Sequence, residues 1–147
     1  MTGAQEIWVV EDDDAMRHAL VRVLRDHGLS SRGFADPREL LRAAKLTPPA
    51  AVLTEHKMPH ITGEELAIAL RAQLAGRAPR VVLLTGARIP RAAQRHYDRV
   101  MPKPFVASHL IDALRVLLRD RSSHTRLRIA PAGGAKPEGG AKPWTKS

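Results

Sequence analysis

The sequence predicts an α/β protein built on a five-stranded parallel sheet with helices on both faces. Short apolar runs alternate five times with segments of helical periodicity, which is typical of parallel strands joined by crossover helices. Several of the runs, such as "RVVLLTG", are continuously apolar, as expected for strands that are buried on both faces. A chain of 147 residues is long enough for about one such domain.

The first two helices have recognisable starts. Ile7–Val10 predicts the first strand, and the acidic residues after it supply Asp13 or Asp14 as a helix N-cap. Apolar residues then recur at helical spacing as far as Gly28, and "SSRGF" follows as a weaker strand. Asp36 precedes a proline, so it is the predicted N-cap of the second helix.

The remaining elements continue the alternation of strand and helix. "AAVLT" predicts the third strand, and Thr62 with Glu65 has the spacing of a capping box that starts the third helix. "RVVLLTG" is the fourth strand, "IPRAAQRHYD" predicts a short helix from Pro90, and "RVM" is a short fifth strand. The last helix is amphipathic, with one face formed by Leu110, Leu114 and Leu117.

Composition excludes several classes of protein. The absence of cysteine rules out disulfides, thiolate metal sites and a cysteine nucleophile. No apolar run is long enough to span a membrane, and the N-terminal apolar run leads directly into acidic residues, which is not the pattern of a signal peptide. We therefore expect a cytoplasmic protein without a membrane partner.

The net charge of +9 is concentrated near the C-terminus. Residues 1–118 carry 17 Lys and Arg against 13 Asp and Glu, whereas residues 119–147 carry 7 against 2. The final segment repeats "GGAKP" and has too little apolar surface to form a core. We predict a domain over residues 1–121 and a disordered basic tail over residues 122–147. The tail is either a solvated appendage or a basic arm that touches nucleic acid, a membrane or an acidic partner.

Polar side chains follow four of the predicted strands, where the strands end. Glu11 and Asp12 follow the first strand, Glu55 the third, Thr85 ends the fourth, and Lys103 follows the fifth. The carboxyl ends of parallel strands form the active crevice in open α/β sheets. Acids, a hydroxyl and a lysine at one edge suit a Mg²⁺ ion together with a phosphoryl group.

The segments "VVEDD", "KMP…TG", "LLTG" and "MPKPF" resemble the receiver domain of two-component response regulators, over roughly residues 5–119. The resemblance implies a flavodoxin-like sheet of strand order 2-1-3-4-5. It also implies that Glu11 and Asp12 match the acidic pair that holds Mg²⁺. By the same comparison, Thr85 matches the switch hydroxyl and Lys103 the lysine that binds the phosphoryl group.

The sequence departs from this pattern at the phosphoacceptor position, where Glu55 replaces the aspartate of the family. The extra methylene adds about 1.5 Å of reach. Misplacement of a reacting group by about 1 Å can lower a rate by about a hundredfold. The stretch from Thr85 to Lys103 is also short for the family, and Val100 stands where the family has its switch aromatic. We therefore expect that ordinary aspartyl phosphorylation is lost.

Two further sets of residues are candidates for interactions. Four arginines have spacings that would place them on one helical stripe, which is either a solvated face or an interaction face, since receivers commonly use this side for partners or dimerisation: Arg88, Arg91, Arg95 and Arg99. His56 and His60 have no third ligand at a suitable spacing, so we expect them to be surface residues.

Three functions remain open. The first, which we favour, is a stand-alone atypical receiver that acts as a regulatory interaction module in a phosphorelay-type pathway, without aspartyl phosphorylation. The second is a receiver still phosphorylated by a histidine kinase, and the third is a basic nucleic-acid-binding module. For the first we expect no enzymatic activity, weak Mg²⁺ binding by Glu11, Asp12 and Glu55, and a protein partner. That partner would be a histidine kinase, an output protein or a second copy in a homodimer.

Overall fold

The computed structural model describes residues 6–127, with side chains described for residues 6–119. Within this range five parallel strands form one sheet of order β2-β1-β3-β4-β5, which confirms the predicted topology. The strands are β1 (Ile7–Val10), β2 (Ser31–Phe34), β3 (Ala51–Thr54), β4 (Arg80–Thr85) and β5 (Arg99–Pro102). The helices are α1 (Asp14–Asp26), α2 (Pro37–Leu46), α3 (Gly63–Leu74), α4 (Arg91–Gln94) and α5 (Ala107–Leu127), with a 3-10 turn at Ala75–Arg77.

The sheet is covered on both faces, as its continuously apolar strands predict. Alternate residues of β1 point to opposite faces, so Trp8 and Val10 join one core cluster while Ile7 and Val9 join the other. The first cluster includes buried side chains of α2, α3 and α4, and the second those of α1 and α5. The predicted apolar face of α5 lies in the second cluster, through Leu110, Leu114 and Leu117.

The predicted helix starts are confirmed at atomic detail. Asp13 accepts a hydrogen bond from the Met16 amide at 3.0 Å, and Asp36 accepts one from the Arg38 amide at 2.8 Å. At the start of α3 the capping box is complete, with the Thr62 hydroxyl accepting from the Glu65 amide at 3.0 Å. The Glu65 carboxylate accepts from the Thr62 amide at 2.8 Å in return.

The predicted arginine stripe is wrong. Helix α4 contains only Arg91–Gln94, so Arg88 precedes it and Arg95 follows its last residue. Arg99 begins β5 and pairs with Val82 in the sheet. The four arginines therefore lie in a loop, a short helix, a turn and a strand. Side chains spaced three or four residues apart share one face only within a helix, so these arginines do not form a stripe.

The last helix extends into the segment that was predicted to be a disordered tail. Helix α5 continues to Leu127, past the domain boundary placed at residue 121. The sequence "RSSHTRL" from residue 121 contains neither glycine nor proline, and the next proline along the chain is Pro131. No strong helix stop signal therefore lies near residue 121. The rest of the predicted tail lies outside the described residues. Between residues 6 and 127, none of the helices is both long enough and apolar enough to cross a membrane.

The capping box gives a test of this local structure. Thr62→Ala should lower the free energy of unfolding by about 1 kcal/mol. The Glu65 amide loses the Thr62 hydroxyl as its acceptor, and the reciprocal hydrogen bond from the amide of residue 62 to the Glu65 carboxylate is weakened. Urea denaturation measures the difference. Thr47→Ala, at the exposed C-terminal end of α2, is the matched control and should have a smaller effect. Equal losses in the two variants would contradict the assignment.

Candidate functional site

Four strand ends bring the predicted site residues to one edge of the sheet. The strands are parallel, with Val10 beside Thr54, Thr54 beside Leu83, and Thr85 beside Pro102. The residues that follow β1, β3 and β5 therefore emerge on the same side. These residues are Glu11, Glu55 and Lys103, and they line one small cavity together.

Glu55 is the centre of this arrangement. Its Oε1 atom accepts a hydrogen bond from the Lys103 ammonium at 2.9 Å, which is also an ion pair. Its Oε2 atom accepts one from the His56 amide at 3.1 Å. Both oxygens of the carboxylate are therefore engaged by groups of the protein itself.

Glu11 is a buried carboxyl at the end of β1. One of its oxygens accepts from the Asp13 amide at 3.1 Å, and its main-chain oxygen accepts from Arg17 at 2.8 Å. Burial raises the pKa of Glu11, and the neighbouring Asp12 carboxyl raises this pKa further. The Asp13 amide and the Lys103 charge oppose the shift without cancelling it. This edge of the sheet thus carries negative charge that is poorly solvated.

The predicted three-carboxylate metal site is not assembled. In the described part of the chain, no group of three or more His, Cys, Asp or Glu side chains is placed to hold a metal ion. The oxygens of Glu55 instead accept hydrogen bonds from Lys103 and the His56 amide. Glu11 and Asp12 remain close to each other, and two carboxylates fit a largely hydrated Mg²⁺ ion.

The Thr85 hydroxyl is used within its own loop. Thr85 is buried, and its oxygen accepts from the Ala87 amide at 3.0 Å. Val100, which was predicted to stand at the family's switch position, is buried in the core. The cavity lined by Glu11, Glu55 and Lys103 measures about 10 Å³. That volume is room for about one water molecule.

Sequence reasoning missed a contact beside the site. His56 was expected at the surface, but it is half-buried, and its Nδ1 atom shares a hydrogen bond of 3.0 Å with the Tyr97 hydroxyl. Tyr97 is 5% exposed, and burial raises its pKa, assisted by the carboxylates of Glu64 and Glu55. The phenol is therefore neutral at ordinary pH. The one available signal was a lone tyrosine within a strongly polar stretch, "QRHYDR".

Gly63 allows these groups to approach one another. Its amide donates to the main-chain oxygen of His56 at 2.7 Å. A Cβ atom at this position would overlap the main-chain oxygen of Glu55 and would lie 3.0 Å from the Tyr97 hydroxyl. The close passage of α3 beneath the loop after β3 therefore requires glycine here.

Comparison with known proteins identifies the family. The family model described as the response regulator receiver domain matches residues 7–115. The chain belongs to this receiver family. The structure places the residues predicted as the acidic pair, the hydroxyl and the lysine at one edge of the sheet, and Glu55 lies among them.

Three known proteins illustrate the similarity. The C4-dicarboxylate transport transcriptional regulatory protein DctR of Rhodobacter capsulatus is 30% identical over 111 residues, covering 72% of this receiver and 56% of DctR. The receiver thus spans little more than half the length of that regulator. The chemotaxis protein CheY4 of Vibrio cholerae is 25% identical with a TM-score of 0.69, covering 76% of this chain and 97% of CheY4. TrrA of Thermotoga maritima, solved with Mg²⁺ and BeF, is 23% identical with a TM-score of 0.69. The match covers 77% of this chain and 98% of TrrA.

The close approach at Gly63 can be tested in this receiver. Gly63→Ala should lower the free energy of unfolding by about 1 to 3 kcal/mol, because the added methyl group forces the backbone of Glu55 to move. Gly76→Ala is the matched control, since a Cβ there meets nothing within 4 Å. Urea denaturation compares the two variants. Similar stabilities for both would show that the loop after β3 adjusts freely.

Proposed function

We propose that this receiver is an interaction module of two-component signalling that works without phosphorylation of residue 55. The observation that supports the proposal is the engagement of both Glu55 oxygens, one by Lys103 and the other by the His56 amide. In-line attack on a phosphodonor requires a free carboxylate oxygen placed beside the metal. The glutamate is one methylene longer than an aspartate, and the oxygen that Lys103 holds at 2.9 Å is displaced from the place that a shorter carboxylate would occupy.

The size of the cavity supports the same proposal. A phosphoryl group has three acceptor oxygens and a charge of about −1.5 to −2. The cavity between Glu11, Glu55 and Lys103 has room for about one water molecule while Lys103 is paired with Glu55, so a phosphoryl group held between them would require this pair to separate. Glu55 instead supplies one permanent negative charge to Lys103. The site is then fixed in one charge state.

We propose a protein partner rather than a substrate. Receiver domains interact with histidine kinases and output domains, and either class, or a second copy of the chain, would fit an interaction module. The three arginines around α4 that are exposed offer a basic surface to an acidic partner: Arg88, Arg91 and Arg95. We propose no catalytic role for any residue of this site.

A phosphorylation assay tests the proposal directly. Incubation of the wild-type receiver with acetyl phosphate and Mg²⁺ should give no phosphoryl adduct in intact-mass measurement, because the longer side chain misplaces the carboxylate at position 55. Glu55→Asp shortens the side chain and should regain detectable labelling, since Lys103 and the acidic pair are retained. A stoichiometric adduct mapped to Glu55 in the wild type would overturn the proposal.

A second variant controls for labelling elsewhere. The double variant Glu55→Asp, Lys103→Ala should lose the regained label, since the lysine that neutralises the phosphoryl oxygens is absent. If the double variant is labelled as strongly as Glu55→Asp, the adduct does not form in this crevice. Peptide mapping of the label then identifies the residue that carries it.

We also propose that Glu11 and Asp12 bind Mg²⁺ weakly. A cation relieves the repulsion between two carboxyls, one of which is buried, so millimolar Mg²⁺ should raise the melting temperature. Asp12→Asn should weaken this response and, without metal, raise the melting temperature by removing one like charge. Asp26→Asn, at the far end of α1, is the control. An unchanged melting temperature of the wild type with Mg²⁺ would exclude a metal site.

A further inference from the structure

Segment 91–98 consists of α4 and the loop that leads into β5. Its local hydrogen bonds alone cannot keep it in this conformation. Its helix is a single turn of four residues, and isolated helices of that length do not form in water. Only Ala93 and Tyr97 of this segment are buried. Contacts with the rest of the domain must therefore fix its conformation.

Charged side chains of α3 and β4 hold the end of the segment. Arg71 donates to the main-chain oxygen of His96 at 2.7 Å, and Glu64 lies 3.2 Å from the His96 ring. Asp98 accepts from the Val81 amide at 2.7 Å and pairs with Arg80 at 3.3 Å. None of these contacts involves residue 55 or its neighbours.

One contact does link the segment to the site. The Tyr97 hydroxyl and His56 Nδ1 share a hydrogen bond, with the two rings edge to face and their centroids 6.4 Å apart. The amide of the same histidine donates to Glu55, whose other oxygen accepts from Lys103. The ammonium, the carboxylate, the histidine and the phenol thus form one continuous series of contacts.

We propose that Tyr97 is a positioning residue that couples the charge at residue 55 to the conformation of segment 91–98. The Thr85 hydroxyl accepts from the Ala87 amide within its own loop, and Val100 is an aliphatic residue buried in the core. Tyr97 reaches the site from the loop before β5 instead. This inference rests on the proposed function in one respect. Because Glu55 stays paired under that proposal, the surface around α4 keeps one conformation.

Two observations explain why the link is well defined. Tyr97 is buried and remains a neutral phenol, so it keeps its hydroxyl proton and its ring is held in the core beside His56. Gly63 leaves the space in which the hydroxyl and the loop after β3 meet. A buried polar group with one partner loses that interaction entirely when the partner is removed.

Amide hydrogen exchange tests the first half of the proposal. Tyr97→Phe removes the hydroxyl and keeps the ring, so exchange at residues 93–98 should accelerate by about two- to tenfold, as for one lost hydrogen bond. Ser31→Ala is the matched control, because it removes another buried hydroxyl that donates to the Val21 main chain at 3.1 Å. Exchange at residues 93–98 that is equal in the two variants would overturn the proposal.

The coupling itself is tested by a measurement that would not change if Tyr97 had only a structural role. Glu55→Gln removes the charge at residue 55, and we expect it to shift the amide resonances of residues 93–98. In the Tyr97→Phe background, and in His56→Phe, that response should disappear. A response of equal size in all three backgrounds would overturn the coupling. This outcome is independent of the phosphorylation assay, so failure of the coupling and failure of the proposed function are distinguishable.

Discussion

The ion pair between Glu55 and Lys103 is the contact on which the site depends. It joins the ends of β3 and β5, which are separated in the sheet by β4, so the pair crosses the mouth of the crevice. Its two side chains are 21% and 29% exposed, and pairs with this access to water contribute about 0 to 1 kcal/mol to stability. Its main consequence is therefore positional: it fixes the carboxylate, and with it the loop that carries His56.

Electrostatics favours an acid at position 55, beside Lys103. Lys103 attracts both Glu55 and the buried Glu11, so one cation serves two carboxyls. The ammonium pairs directly with Glu55 and only reduces the raised pKa of Glu11. Asp12 adds a further negative charge at the surface. The residual excess of negative charge is what makes this edge suited to a cation even though Glu55 is already engaged.

The sheet and the helix starts were predictable because their causes are local. Continuous apolar runs determine the buried strands, and Asp36 or Thr62 with Glu65 needs only its immediate neighbours to form a cap. The contact of Tyr97 with His56 joins residues 41 positions apart, and no sequence pattern encodes it. The orientation of the Thr85 hydroxyl and the pairing of Glu55 likewise depend on side-chain packing. Arginine spacing failed as a guide because it presumed a helix longer than the one that forms.

The short α4 restricts what this domain can do as a switch. A population shift requires a second arrangement that lies within a few kcal/mol of the first. In segment 91–98, contacts with Arg71, Glu64 and the Val81 amide hold the end nearest β5, and Tyr97 is fixed inside the core. Rearrangement would have to break several of these contacts together. If residue 55 also keeps one charge, then the surface around α4 has one arrangement to offer. Under that proposal a partner's response is set by the concentrations of the two proteins rather than by a chemical change at the crevice.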